Sequence, residues 1–415
     1  MPPPNTAVPG TLSFSEARAQ FPALREKTFL DAACVSLAPL CGVDAIRKFL
    51  DIALHCPEAS ATLQHIAMDD QRAEARPAAA RLVNAGEDEI ALVESTTHGL
   101  SLVAEAIPLQ RGDRVLLCDL EFLQVAVPWC QKQREIGLEI DVVPHRNGIV
   151  QAEDFAARIT PRTRVLAISS VQWSNGFRVD LDAVSALCRD RGLWLVVDAI
   201  QQLGAVPIDV RKTPVDFLAC GGHKWLNAPF GCGFLYIRRQ RLSELRPPLG
   251  GYLSVETPAG GWGNYFQTPS ITPVRDYRFV AEARRFEVAG TSNYVGAIGL
   301  AASLRLIHAL GQERIAAHIA QLTAQLVAGL DRLGVEVVTP RKPARRAGIV
   351  TFSLGAPERN LALMESLLAR KILVSVRYTA HVGGVRASCH FFNSPEDIER
   401  LLETVATFLR RGQPA

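Results

Sequence analysis

Between Glu87 and Pro214 the apolar positions repeat one rhythm: a short continuous apolar run, a turn, then apolar residues at three- and four-residue spacing. ALVES leads into TTHGLSLVAEAI, VLLCD into EFLQVAVPWCQKQREIG, and VLAISSV into DLDAVSALCRDRG, after which LWLVVD ends a further strand. Unbroken apolar runs fit strands buried on both faces, and their alternation with amphipathic helices predicts an α/β fold with a mostly parallel sheet flanked by helices. The site of such a fold lies at the carboxyl ends of its strands. Beyond Thr291 the pattern changes. Helices at VGAIGLAASLRLIHAL and IAAHIAQLTAQLVAGLDRLG precede short strands at VEVVT, GIVTFSL, ILVSV and VRASCHFF, and PEDIERLLETVATFLRR closes the chain as a helix. The expected division is an N-terminal arm (1–28), a large domain (29–290) and a smaller C-terminal α+β domain (291–415). The stretch 247–284, rich in Gly, Pro, Trp and Tyr, is expected to be an ordered loop excursion near the site, since its aromatics disfavour disorder.

Composition narrows the function classes. With 415 residues, 48% hydrophobic and 21% charged, the chain can bury a large core. Its net charge of +3 is spread over interspersed signs with no basic run flanked by aromatics, which argues against nucleic-acid and membrane partners and leaves small anionic ligands. The nine cysteines form no CxxC pair and no Cys/His cluster with metal-ligand spacing. No metal site or disulfide framework is expected, and a reducing cytoplasm is. The N-terminal MPPPNTAVPG is expected to be a loose arm rather than a targeting segment, and no apolar run approaches the length of a membrane span.

The candidate chemistry centres on GGHKWLNAP, residues 221–229, between the predicted strands Val215–Ala219 and Cys232–Ile237. A lysine held there is desolvated, which lowers its pKa and frees its amine for carbonyl chemistry. Lys224 thus resembles the Schiff-base lysine of a pyridoxal 5′-phosphate (PLP) enzyme. PLP makes further demands, and candidates exist for each. Its ring nitrogen needs a buried acid, and Asp198 ends the buried run LWLVVD; the competing reading is a helix cap. Gln201 could bond the phenolic oxygen. The phosphate needs donors at a helix start, which Thr96 and Thr97 would supply unless they serve only as caps, with His223 beside the lysine as a further donor. Phe122 could stack on the ring or be a core residue. Asn175 could make a polar contact at a strand end or hold the turn before Gly176.

The ordered segments TTHG, EFLQVAVPW, SNGFRVD, VVDAIQ, GGHKWLNAPFGCGFLYI, RRFEVAGTSN and GGVRASCHFFNSPEDI together resemble the class V aminotransferase and cysteine desulfurase family of fold-type I PLP enzymes, from FLDAAC onward. The resemblance implies that Lys224 carries the cofactor, Asp198 pairs with its pyridinium and Gln201 contacts its phenolic oxygen. It places Thr97 and His223 on the phosphate, with Thr96 nearby, and implies that Thr291 reaches the phosphate of a neighbouring subunit in a homodimer with shared sites. Arg386 would clamp the substrate α-carboxylate.

Three departures from the desulfurase pattern shape the expected function. A serine of that family is Gly221 here, and the histidine over its ring is Phe122, which leaves Lys224 as the sole proton shuttle at Cα. The persulfide cysteine that desulfurases carry on a loop before the arginine is missing from SVRYTAHVGGVR; His381 stands in that loop as a candidate substrate contact, and Cys389 is expected to pack. The expected function is therefore a PLP-dependent aminotransferase or C–S (β-elimination) lyase acting on an amino acid, and not a persulfide-forming desulfurase. The alternatives are an isopenicillin N epimerase-like enzyme, a cysteine desulfurase, or a PLP-binding regulatory protein without turnover. Substrate selection is expected to rest on residues 250–277, Tyr378 and His381.

Overall fold

A computed structural model describes residues 11–411. A two-residue strand, β1 (Thr28–Phe29), precedes a seven-stranded sheet of β2 (Ile90–Val93), β3 (Arg114–Cys118), β4 (Glu139–Val143), β5 (Thr163–Ser169), β6 (Trp194–Asp198), β7 (Phe217–Gly221) and β8 (Gly233–Ile237). Their order is β2-β8-β7-β6-β5-β3-β4. All neighbours are parallel except at β8, which runs antiparallel to both β2 and β7. The apolar runs explain the layers. Leu116 and Cys118 of β3 and Leu166 and Ile168 of β5 enter one core, whereas Val115, Leu117, Val165 and Ala167 enter the core on the opposite face. Strand β4 was not legible as a strand. As a sheet edge it buries only Val143 fully, so EIDVV carries too little apolar signal.

The helices at Thr96–Ala106, Leu123–Ile136 and Leu181–Arg191 follow β2, β3 and β5, as the apolar periodicity predicts. Three further helices, Leu40–His55, Ala61–Ala73 and Ala75–Val83, have no counterpart in the predicted pattern. Helix Tyr294–Leu310 packs on all three and is almost wholly buried. Its approach to the lysine loop requires glycine: a Cβ on Gly299 would stand 2.6 Å from Pro229 Cγ.

A second sheet contains β9 (Glu336–Val337), β10 (Ile349–Ser353), β12 (Ser375–Thr379) and β13 (Val382–Ser388) in the order β12-β13-β10-β9, all antiparallel. Strand β11 (Ile372–Leu373) pairs in parallel with β1. The proline-rich segment 1–10 lies outside the described residues. The remainder of the expected arm is packed: Ser13 and Glu16 form a capping box on helix Phe14–Ala19, Phe21 is buried against Phe391 and Phe392, and Arg18 pairs with Asp397 at 2.7 Å. Through β1 this segment delivers residues 30–36 to the catalytic ends of the large sheet.

A buried acid joins two of those ends. Glu121, just past β3, accepts from the Ser169 amide and hydroxyl at 2.9 and 2.5 Å, from Gln172 Nε2 at 2.9 Å and from the Cys118 thiol at 3.1 Å. Burial lifts its carboxyl from 4.5 to about 7 despite those donors. A group whose pKa is raised by folding contributes stability that is fully present below its unfolded value and lost as pH rises through its folded value. For Glu121 the loss falls between pH 4.5 and about 7 and amounts to roughly 3 kcal/mol. Glu121→Gln keeps the acceptor toward Ser169 and offers an N–H to the unpartnered Oε1 of Gln172. The variant is expected to flatten the fall in unfolding free energy between pH 4.5 and about 7. Denaturant melts of both proteins across that range check this, and identical slopes would refute it.

Candidate active site

The carboxyl ends of β5, β6 and β7 lie side by side, with Ser169 opposite Asp198 and Asp198 opposite Ala219. Chain direction therefore places Asp198 beside the loop that follows β7. That loop is fixed on both sides. Gly222 N–H donates to Cys232 O at 2.8 Å and Ala228 N–H to Gly222 O at 2.9 Å. Asn227, left-handed at φ 55°, donates to Ser36 Oγ at 2.7 Å and Leu37 O at 3.2 Å. Ser36 N–H in turn donates to His223 O at 2.8 Å.

Lys224 sits at the centre of this loop. Desolvation pulls its amine from 10.5 down to about 8; Asp198 opposes the shift and Arg386 adds to it. Asp198 is 4% exposed and accepts from Ile200 N–H at 2.9 Å, and burial raises its carboxyl from 3.8 to about 6. Acid and amine are thus brought within reach of exchange at neutral pH, the behaviour of groups kept for chemistry rather than solubility. Phe122 is 40% exposed, and its ring centroid lies 5.7 Å from Lys224 Nζ. Trp173 meets that ring edge-on at 5.2 Å.

An anion cradle borders the lysine. Thr96 is buried at the start of helix Thr96–Ala106, where its hydroxyl accepts from Gly221 N–H at 2.8 Å and retains its own proton to donate. Thr97 is exposed at the same helix start. His223 stacks on Phe230, and burial with the neighbouring Lys224 drops its pKa to about 4, so it is neutral and keeps one N–H to offer. A Cβ at Gly221 would lie 3.1 Å from Thr96 Oγ1 and 3.2 Å from His223 Nδ1. The glycine standing in place of the family's serine thus keeps this corner open. A phosphate fits this donor set.

Arg386 is central in the second sheet, paired on its two sides with Thr351 and Ser375. It is 1% exposed; Nη1 donates to Trp173 O at 2.9 Å, Nη2 to Asp31 at 3.3 Å, and Nε has no protein partner. The indole N–H of Trp173 is likewise buried and unpartnered. Two orphaned donors beside a desolvated guanidinium suit a carboxylate. Gln201 bridges two parts of the site, donating to Ala33 O at 3.0 Å and accepting from Trp225 Nε1 at 2.8 Å, with one amide hydrogen left over.

Other expected residues are placed differently. Asn175 donates to Gly148 O at 2.7 Å and accepts from Phe177 N–H at 3.0 Å, and Gly176 follows at φ 72°. Its amide holds that turn and keeps one N–H beyond it. His381, with Ala380, forms the two-residue turn between β12 and β13 and lines a separate crevice with Asn147, Glu336 and Tyr378. Five residues of extended strand set it roughly 16 Å from Arg386, which corrects its assignment as a substrate contact. Thr291 is exposed, between the loop excursion and helix Tyr294–Leu310. Cys389 is fully buried, with its thiol pushed up to about 12, and Trp225 is a core residue against His390. The sequence reading missed Asp31, Trp173, Glu121 and Arg377 as site components; FLDAAC and VQWSNG already held the first two.

Comparison with known proteins extends this picture. A probable cysteine desulfurase of Pyrococcus abyssi is 28% identical over 414 residues, spanning 96% of this chain and 99% of that protein. Its counterpart in Aeropyrum pernix is 30% identical over 415 residues, spanning 95% and 97%. Among solved structures, a cysteine desulfurase of Thermococcus onnurineus superposes with a TM-score of 0.83 at 27% identity, covering 97% of this chain and 100% of that one. The cystine C–S lyase C-DES, solved with its reaction product cysteine persulfide, gives 0.82 at 27% identity and covers 93% and 99%. These relatives correct the expected exclusion of persulfide chemistry. That expectation took a missing loop cysteine to rule out a persulfide product, yet similar proteins are named cysteine desulfurases, and a similar cystine C–S lyase has cysteine persulfide as its product. The family model for class V aminotransferases matches residues 28–401, and with a match over nearly its whole length the chain belongs to the aminotransferase class V family.

Proposed function

We propose that this protein is a PLP-dependent enzyme that breaks the C–S bond of L-cysteine and passes the sulfur on as a persulfide. One observation carries the reading: an amine lowered to about 8, Lys224, is coupled to a buried acid on one side and to a buried guanidinium on the other. PLP supplies a carbonyl carbon for amines and a ring that accepts negative charge from the substrate's carbon. Lys224 supplies the protein's amine to that carbonyl and takes and returns the proton at the substrate Cα. Asp198 would serve as the buried acid for the ring nitrogen. Thr96, Thr97 and His223 would hold the phosphate. Phe122 offers an apolar ring and no group that exchanges protons, which would leave proton transfer to Lys224. Arg386 and the Trp173 indole receive the carboxylate and fix which substrate bond is broken.

The enzyme is further read as a homodimer in which Thr291 reaches the partner's phosphate. Thr291 faces solvent, and the segments around it expose Phe230, Phe266, Phe279 and Val288, an unusual apolar surface for a lone subunit. With nine free cysteines, the protein is assigned to the cytoplasm.

PLP-loaded protein given L-cysteine is expected to form alanine and sulfane sulfur; keto acid together with aminated cofactor, and no sulfane sulfur, would overturn the reading. Lys224→Ala is expected to lose the visible absorbance of protein-bound PLP and to cut alanine formation by roughly 10²–10⁴-fold or more. Arg386→Lys keeps a cation beside Asp31 but loses the forked contact, and should raise KM for cysteine roughly 10–100-fold, the worth of a charged hydrogen bond. Uptake of PLP by cofactor-free protein should quicken as pH rises toward about 8 and then level, because only the unprotonated amine attacks a carbonyl. Stopped-flow absorbance follows this directly.

A further inference from the structure

A desulfurase must place its sulfur somewhere, and the family's usual position offers no thiol here. Strands β12 and β13 are joined by Ala380 and His381 alone, at φ 45° and 65°, a tight hairpin rather than a mobile loop. We propose that Cys34, on the segment after β1, is the acceptor that carries the persulfide; the proposal rests on the desulfurase reading above.

Elimination and geometry both point to Cys34. Cys118, Cys188, Cys220, Cys232 and Cys389 are buried, and desolvation raises all their thiols. Cys56 and Cys130 are exposed on outer helices, and Cys41 lies within helix Leu40–His55 beside the outer residues Asp44 and Arg305. Cys34 is half-buried, and its neighbours in the chain are tied to the flanks of the lysine. Ala33 O accepts from Gln201 at 3.0 Å, and Ser36 N–H donates to His223 O at 2.8 Å. Its own N–H turns back to Asp31 O at 3.0 Å, and Asp31 is the ion-pair partner of Arg386.

The sulfur's surroundings are cationic. Arg377 Nη2 lies 3.6 Å from Sγ. Reactive cysteines occupy such partly exposed, electropositive places. An independent sign of a ligand is Arg386 itself, 1% exposed with Nε lacking a protein partner. Asp31, whose carbonyl accepts from the Cys34 N–H, is bonded to the same guanidinium.

The step balances without an added oxidant. The Cys34 sulfur forms a bond to the substrate sulfur while the substrate Cβ–S bond breaks. The electron pair of that bond stays on carbon, which takes a proton to become the methyl group of alanine. Cysteine plus the Cys34 thiol gives alanine plus the Cys34 persulfide, with Arg377 beside the charged terminal sulfur.

PLP-loaded wild type, Cys34→Ser and Cys34→Ala are each mixed with L-cysteine, alkylated, digested and mapped by mass spectrometry. In the wild type the Cys34 peptide is expected to gain one sulfur atom, removable by reductant. Both variants should keep the absorbance of bound PLP, as evidence of folding, yet lose nearly all alanine formation and carry no added sulfur. Wild-type Cys34 found unmodified, with sulfane sulfur only in the small-molecule fraction and Cys34→Ser as fast as wild type, would overturn the assignment and leave the desulfurase reading standing. Sulfur trapped on another cysteine would overturn it equally. Failure of the wild type to cleave cysteine at all would remove both.

Discussion

The charge coupling between the buried carboxylate of Asp198 and the half-buried amine of Lys224 is the constraint around which the other parts of this protein are arranged. In water their pKa values would stand near 3.8 and 10.5; the folded chain brings them to about 6 and about 8. That convergence costs free energy, because each group is stripped of water and neither is fully compensated. The structure meets the cost with rigidity. Asp198 cannot withdraw, since it ends a central strand between β5 and β7, and Lys224 cannot swing out, since its loop is bonded to β8 on one side and to residues 36–37 on the other. On the proposed reading, a cationic ring nitrogen at Asp198 and a carbonyl at Lys224 would relieve both groups at once, which would link cofactor binding to the stability of the site.

How much of this was legible in the sequence depended on whether the information was local. Asp198, Lys224, Thr96 and Phe122 follow strand ends, and strand ends are visible as the points where apolar runs stop. Their convergence required only that the strands be parallel. Asn175 and Gln201 sit at equally visible strand ends. Their amides also bond to Gly148, Phe177, Ala33 and Trp225, partners that sequence spacing does not reveal. His381 was misread for a related reason. It was assigned from its place in the loop where desulfurases carry a cysteine, whereas here an extended strand separates that turn from Arg386.

The parts that stayed hidden came from long-range pairing. Strand β1 is two residues long, and no periodicity announces it. Its pairing with β11, together with the Ser388 N–H bond to Leu30 O at 2.7 Å, nevertheless carries Asp31 and Cys34 to the catalytic ends of the other sheet. Two of the three helices between residues 40 and 83 have narrow buried faces: Leu40–His55 buries only Gly42 and Phe49 fully, and Ala61–Ala73 only Gln64 and Arg72. Glu121 looked like one more acid near a strand end, and only the enclosure by Ser169, Gln172 and Cys118 distinguishes it.

Phenylalanine at position 122 also bears on how the chemistry is divided. On the proposed reading, a ring that stacks but cannot exchange protons would leave every transfer at the substrate Cα to Lys224, whose amine near 8 suits both taking and returning a proton at neutral pH. The groups next to Phe122 do not add to that supply. Glu121 is sealed behind the ring by four donors, and the buried indole of Trp173 gives up no proton at any ordinary pH. The wall beside the lysine is therefore apolar by construction. A site with one base can act at one face of one carbon, and cleavage at Cβ then has to be driven from the sulfur's side. That requirement gives a thiol such as Cys34, approaching from the Arg386 side of the site, its mechanistic place.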